Sequence, residues 1–340
     1  MDSLVTRSPK PATRNPEPGT RNSEPGTKIK LGVSSCLLGK KTRYDGGHKW
    51  EPFITESWGP HLELLPICPE VECGLGVPRE AMRLEGDAAA PGLFTIKTRK
   101  DLTGLMLNWT EARLTELEGE NLWGFIFKKN SPSCGPAGVK VHGPEGRPRK
   151  QGVGLFARSF MARFPLLPVE DEERLHDPQI RENFVERLFT MRRWRKMLAQ
   201  TWSTGGLLNF HTRHKLLLLA HSPRHYQLLG RLAARAKEIP AQELAARYQA
   251  LLLEAMKLQA TNKKQANVLQ HILGYFKKVL SPDEKQELLE IIDSYRQGNL
   301  PLLAPLTLIG HHARKYGPPY LGGQYYLHPQ PLELQLRYHA

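Results

Sequence analysis

From Lys28 to about residue 165 the chain alternates short apolar runs with longer stretches whose apolar positions recur every three or four residues. The runs KIKLGVSSC, LELLPICPE and WGFIFKKNSPSCG are strand-like, rich in Ile, Val, Leu and Phe, and each stops at a turn of Gly, Ser or Pro. TGLMLNWTEARLTELEGENL has helical spacing, AMRLEGDAAAPGLFTIKT reads as two strands around a Gly/Pro loop, and GVGLFARSFMARFP reads as a closing helix. Such alternation predicts an α/β domain with a mostly parallel sheet.

The pattern changes after LPVEDEERLHDPQ, an acidic, proline-bearing segment expected to be a linker. Almost everything beyond it has helical periodicity, from ENFVERLFTMRRWRKMLAQTW to PDEKQELLEIIDSYRQG. Ser281 and Pro282 suit an N-cap and first helical position, and Gly298 a C-terminal stop. The expectation is an all-α C-terminal domain over 176–340, after an α/β domain over 28–175. Residues 1–27 hold the tandem heptads RNPEPGT and RNSEPGT, whose Pro, Gly and polar content predicts a disordered tail.

Composition narrows the class. The chain has 340 residues, of which 40% are hydrophobic and 24% charged, values of a soluble globular protein. No apolar run reaches the length of about 18 residues that would span a bilayer, and the start lacks the apolar core of a secretory signal. A cytoplasmic location is the expectation. The net charge of +14 calls for a surface with excess Lys and Arg, suited to polyanions or simply to solubility.

Four cysteines are too few for a disulfide scaffold and leave metal binding, catalysis or plain packing as explanations. Cys36, Cys68 and Cys134 each sit in a turn that ends a strand-like run, separated by 32 and 66 residues. This wide spacing is a weak metal signature by itself. In a parallel sheet, however, such turns share the C-terminal edge, where the three thiols would meet. Small neighbours permit close backbone approach to a cluster, and the N–H groups of Gly-rich turns can hydrogen-bond its sulfides. Cys73, at C-x4-C spacing from Cys68, could add a fourth ligand or be a packed small residue.

SSCLLGKKTRYDGG, CPEVECGL and SPSCG together resemble the signature of the thiouracil desulfidases, a family of [4Fe-4S] enzymes, over roughly residues 29 to 165. With FHTRHKLLLLAHSPRHY, ATNKKQANVLQHILGYFKK and YRQGNLPLLAPLTLIGHH, the whole resembles the bacterial tRNA 4-thiouridine desulfidases. The resemblance implies a [4Fe-4S] cluster on Cys36, Cys68 and Cys134 with one iron free of protein ligands, excluding Cys73. An open iron is a Lewis acid with a preference for soft sulfur, so a thiocarbonyl carbon could be polarised for attack by water without net redox change. The resemblance also gives catalytic roles to Glu70 and Ser131, read here as general base and as hydrogen-bond donor or proton relay. Outside the resemblance, Glu70 could equally be a solvated carboxylate and Ser131 a helix N-cap. Arg43, Tyr44, Asp45 and Arg79 are candidate substrate contacts, or braces of their turns.

For the helical half the resemblance implies tRNA as partner. Arg192, Arg193, Arg195, Lys196, Arg213, Lys215, Lys263, Lys264, Lys277 and Lys278 are the candidate RNA contacts, with a solvated basic face as the alternative. His211, His214, His221 and His225 have spacings that could suit a metal, but lack Cys or carboxylate companions and read better as core or RNA-contacting histidines. The function expected is conversion of 4-thiouridine in tRNA to uridine. Its rivals are a desulfidase of free thiouracil and a non-catalytic RNA-binding protein with a structural metal site.

Overall fold

The computed structural model describes residues 28–143 and 147–328. The tail expected over 1–27 lies outside them. Strands β1 (Ile29–Ser34), β2 (Leu62–Ile67), β5 (Gly124–Phe127) and β8 (Val169–Asp171) form an all-parallel sheet in the order β2-β1-β5-β8. In β5, GFIF is buried at every position, because both faces of the sheet are covered. Phe125 and Phe127 pack on one side with Leu114 and Leu117 of α2 (Thr103–Gly119) and Phe156 and Phe160 of α3 (Leu155–Arg163). Ile126, with Ile29, Leu31 and Val33, packs on the other side. Gly32 is required where these strands meet: a Cβ there would stand 2.3 Å from the Phe125 ring.

The acidic segment expected as a linker is instead the edge of this sheet, with Val169 paired to Phe125 and Asp171 to Phe127. Three residues are too few to show a strand period, and their acidity masked it. Asp177 then caps α4 (Pro178–Ala199), accepting from the Gln179 and Ile180 N–H groups. Helix α4 serves two cores. Its Phe184, Val185, Leu188 and Phe189 cover the open face of the sheet, whereas Trp194 belongs to the helical core.

A second sheet, in the order β4-β3-β6-β7, flanks the first. The expected hairpin supplies β3 (Met82–Glu85) and β4 (Gly92–Thr95). Strands β6 (Val139–His142) and β7 (Arg149–Gly152) were not legible, since VKVH is too short to establish its alternation and RKQG has no apolar side chain. Beyond α4 the described residues form helices α5 (Thr204–His221), α6 (Pro223–Ala234), α7 (Ala241–Lys257), α8 (Asn262–Tyr275), α9 (Pro282–Arg296), α10 (Leu303–Tyr316) and α11 (Pro319–Gly322). They close around Trp194, Tyr248, Phe276 and Ile292. Helix α9 has the expected ends: Ser281 and Glu284 make a reciprocal capping box, and Gly298 turns left-handed at φ +87°. Among the described residues no helix is long and apolar enough to cross a membrane.

Candidate active site

The loops after β1 and β5 depart toward opposite edges of the sheet, and this switch point opens a crevice at the strands' C-terminal ends. Cys36 lies in the 3-10 turn that follows β1, its carbonyl accepting from the Lys49 N–H at 2.9 Å. Cys68 is the N-cap of the short helix α1 (Pro69–Glu72), its own N–H held by the Glu72 carboxylate at 2.7 Å. Cys134 follows β5, in a loop stitched to the start of α3 by bonds from Leu155 to the Pro132 carbonyl and from Ala157 to the Ser133 carbonyl. Gly154 makes that stitching possible: a Cβ would lie 2.6 Å from the Ser133 carbonyl and 2.9 Å from the Cys134 nitrogen.

Cys36, Cys68 and Cys134 line one cavity of about 450 Å³, together with Glu70, Ser131, Arg43, Tyr44 and Arg79. Burial, then the neighbouring Cys68, pushes the Cys36 thiol up to about 11. Burial raises Cys68, and raises Cys134 well above the ordinary thiol value, with Cys68, Glu70 and Cys36 adding to it. The three sulfurs therefore share one electrostatic environment, in which burial outweighs the nearby cations Lys128 and Arg43. Soft donors in such a setting suit a metal group that removes the protons. Among the described residues no three His, Cys, Asp or Glu side chains are arranged around a single ion. Three soft thiols lining one cavity are the donor type that an iron-sulfur cluster takes, and in that respect the residues present fit such a group.

Glu70, on α1, is fixed from both sides. The Arg79 guanidinium holds Oε2, with Nε at 3.0 Å and Nη2 closer still, and Nη2 also donates to the Thr42 carbonyl at 2.9 Å. The Ser133 hydroxyl donates to Oε1 at 2.6 Å and lies 3.0 Å from the Ser131 hydroxyl. Ser131 Oγ in turn accepts from the Cys134 N–H at 3.1 Å, as a capping serine does. Ser131 thus caps a turn and also belongs to a hydroxyl chain reaching Glu70. Arg79 binds Glu70 directly, which the sequence did not reveal.

The RYDGG loop divides its work. Arg43 and Tyr44 face the cavity, Tyr44 being 43% exposed, and the Tyr44 carbonyl accepts from the Arg79 N–H at 2.8 Å. Asp45 does not line the cavity; it accepts from Gly47 N–H and pairs with Arg43, and these partners hold its carboxyl below the usual value. Cys73 also stays outside the lining. Its thiol donates to the Glu70 carbonyl at 3.3 Å and packs with Leu84, Met106 and Val139. Sequence reasoning missed Ser133, Thr42 and Lys128. Lys128 is ion-paired with the buried Glu172, and its backbone N–H donates to Ser34 Oγ at 2.9 Å. The SPS and KK runs beside the third cysteine were the available signal.

A family model described as 2-thiouracil desulfurase matches residues 31–172, which carry all of these groups. The chain is 33% identical over 153 residues to the uncharacterized protein YbgA of Escherichia coli (strain K12), spanning 45% of this chain and 90% of that one. It is 31% identical over 130 residues to the uncharacterized protein YbbK of Bacillus subtilis (strain 168), spanning 37% of this chain and 85% of that one. The chain belongs to the 2-thiouracil desulfurase family. A second model, of the family of unknown function DUF1722, matches residues 215–331. Among solved structures, the [4Fe-4S]-dependent thiouracil desulfidase TudS is 28% identical, with a TM-score of 0.38 over 44% of this chain and 95% of that one.

In the helical part of this desulfurase-family chain the basic candidates separate. Arg195 donates to the Leu122 carbonyl at 2.9 Å and lies over the Trp123 ring, so it ties α4 to the α/β half. Arg193 and Arg213 both lie against the Tyr325 ring, at 3.8 and 4.2 Å. Lys264 donates to the His221 and Gln259 carbonyls. Arg192 and Lys215 are half-buried, and Lys196, Lys263, Lys277 and Lys278 are exposed. The four histidines do not converge. His211 meets the Tyr248 hydroxyl, His214 the Phe210 carbonyl, His221 Glu186 and the Leu258 carbonyl, and His225 Ser222.

Proposed function

We propose that this chain converts 4-thiouridine in tRNA to uridine as a [4Fe-4S]-dependent desulfidase, exchanging the thiocarbonyl sulfur for the oxygen of water. The observation that carries the reading is the meeting of Cys36, Cys68 and Cys134 in one cavity with a Glu70 carboxylate anchored by Arg79 and Ser133. Held by these three thiolates, a cluster supplies a Lewis acid for the thiocarbonyl sulfur. The chain's own groups handle protons and orientation. Arg79 occupies Glu70 Oε2, which aims the carboxylate and leaves Oε1 to the hydroxyl chain. Glu70 takes a proton as water adds to the carbon, and returns it as the C–S bond breaks. Ser133 and Ser131, 3.0 Å apart, extend the proton path along the cavity wall. The balance is a thiocarbonyl plus water giving a carbonyl plus hydrogen sulfide, with no electron transferred.

Tyr44, with its exposed ring at the cavity wall, offers a stacking face for the base, and Arg43 a contact for its phosphate; Asp45 positions Arg43. Two things favour RNA over a free base: the net charge of +14, and the likeness of the helical motifs to tRNA desulfidases. Sulfide release measured anaerobically from thiolated tRNA and from free thiouracil tests the reading. Release from tRNA at the higher kcat/KM supports it. Preference for the free base reassigns the substrate, and release from neither overturns the function.

A further inference from the structure

We propose that the cleft between Tyr226, Tyr275 and Tyr320 takes one unpaired nucleotide of an RNA, its base stacked on the Tyr275 ring and its phosphate drawn to Lys215. This rests on the reading of RNA as the partner given above, and gives that partner a place. Tyr275 ends α8, Tyr320 lies on α11, and Tyr226 lies on α6. The Tyr275 and Tyr320 rings stack with centroids 4.8 Å apart and planes 16° apart. Tyr275 remains 47% exposed, an aromatic surface that the helical core does not use.

The cleft encloses about 280 Å³, room for one base. Lys215, His271 and Gln227 are its polar members, and no carboxylate lines it. Lys277 and Lys278 continue the positive charge just beyond Tyr275 and are exposed. Aromatic faces for the bases beside cations for the backbone are the physical requirements for holding single-stranded nucleic acid. Charge excludes the larger alternative. The cavity of about 800 Å³ beside the start of α4 is lined by Asp177, Glu182 and Glu186 and by no Lys or Arg, so it repels phosphate.

Binding of the full chain to a labelled single-stranded oligouridine and to unmodified tRNA, read by fluorescence anisotropy, tests the assignment. Tyr275→Ala should raise Kd for both by about tenfold, whereas Tyr275→Phe should bind like the parent, since stacking uses the ring face and not the hydroxyl. Lys215→Ala should reduce the slope of log K against log salt by about 1. Circular dichroism melting of each variant establishes that it is folded. Unchanged affinity of Tyr275→Ala for both RNAs overturns the cleft and favours a protein partner there; equal weakening by Tyr275→Phe overturns stacking. Sulfide is not measured, so a chain that binds RNA through Tyr275 but turns over only free base refutes the proposed substrate and leaves the cleft standing.

Discussion

Ser133 donates its hydroxyl hydrogen to Glu70 Oε1 at 2.6 Å, joining the loop after β5 to the helix after β2 across 63 residues of sequence. The bond lies beside the cavity that holds the three cysteines, and Ser133 is fully buried. A hydrogen bond to a charged group contributes about 1.5–3 kcal/mol, so Ser133→Ala should lower kcat about 10- to 100-fold. Glu70→Gln, which removes the proposed base, should cost about 10²- to 10⁴-fold. Both variants should keep their iron. Steady-state kinetics beside iron analysis checks this, and equal activity in Ser133→Ala would remove the hydroxyl chain from the mechanism.

Replacing Cys36, Cys68 or Cys134 singly by Ser is expected to lower bound iron and sulfide release together. Cys73→Ser should retain both, because that thiol faces a carbonyl and apolar side chains outside the cavity. Iron content and visible absorption after anaerobic reconstitution distinguish the two groups. Loss of iron in Cys73→Ser would count against three-cysteine ligation.

Gly154→Ala places a methyl group against the Ser133 and Cys134 backbone, which cannot yield as a flexible side chain does. Overpacking of this kind costs about 1–3 kcal/mol. The loop carrying Ser131 and Cys134 should shift, with a lower melting temperature and weaker iron retention. Gly205→Ala, where a Cβ within helix α5 meets nothing within 4 Å, is the control expected to leave iron retention unchanged and the melting temperature no lower.

Truncation separates the role of α4 from that of the helices beyond it. A chain ending before Pro178 loses Phe184, Val185, Leu188 and Phe189 from the sheet face. At about 1.5–3 kcal/mol for each large apolar side chain, their loss rivals a typical total stability of about 5–15 kcal/mol. Such a chain should be insoluble or unfolded, whereas one ending after Ala199 keeps the sheet covered and should melt cooperatively. Solubility and thermal unfolding of the two decide.

Acid should destabilise the helical half through His211, whose pKa burial and Lys215 push down to about 4. The folded state keeps this imidazole neutral, while the unfolded chain takes up a proton near a pH of about 6.5. Stability is therefore present above about pH 6.5 and is lost as pH falls from there toward about 4, by on the order of 3 kcal/mol. Urea unfolding of the parent and of His211→Gln at about pH 7 and about pH 4.5 measures it. The variant should show a smaller loss between the two pH values.

Much of this site was legible because local sequence sets local backbone. Apolar runs that end in Ser, Pro or Gly turns gave the strands and placed Cys36, Cys68 and Cys134 at their ends, and Ser281 with Gly298 marked the limits of α9. The strands β6, β7 and β8 escaped notice: they are short, polar or acidic, and their pairing comes from partners distant in sequence.

Contiguous residues by themselves determined the longer helices, the apolar strands β1, β2 and β5, their caps and the turns that carry the thiols, since backbone preference and periodicity act within a few positions. Only the tertiary structure decided which side chains meet. Strand order β2-β1-β5-β8 brings residues from three separate segments into one crevice, sends Cys73 to the apolar side of α1 while Glu70 faces Ser133, and packing of the helices keeps the four histidines apart. Those outcomes depend on packing between surfaces far apart along the chain, and no local pattern encodes which surface will be neighbour to which.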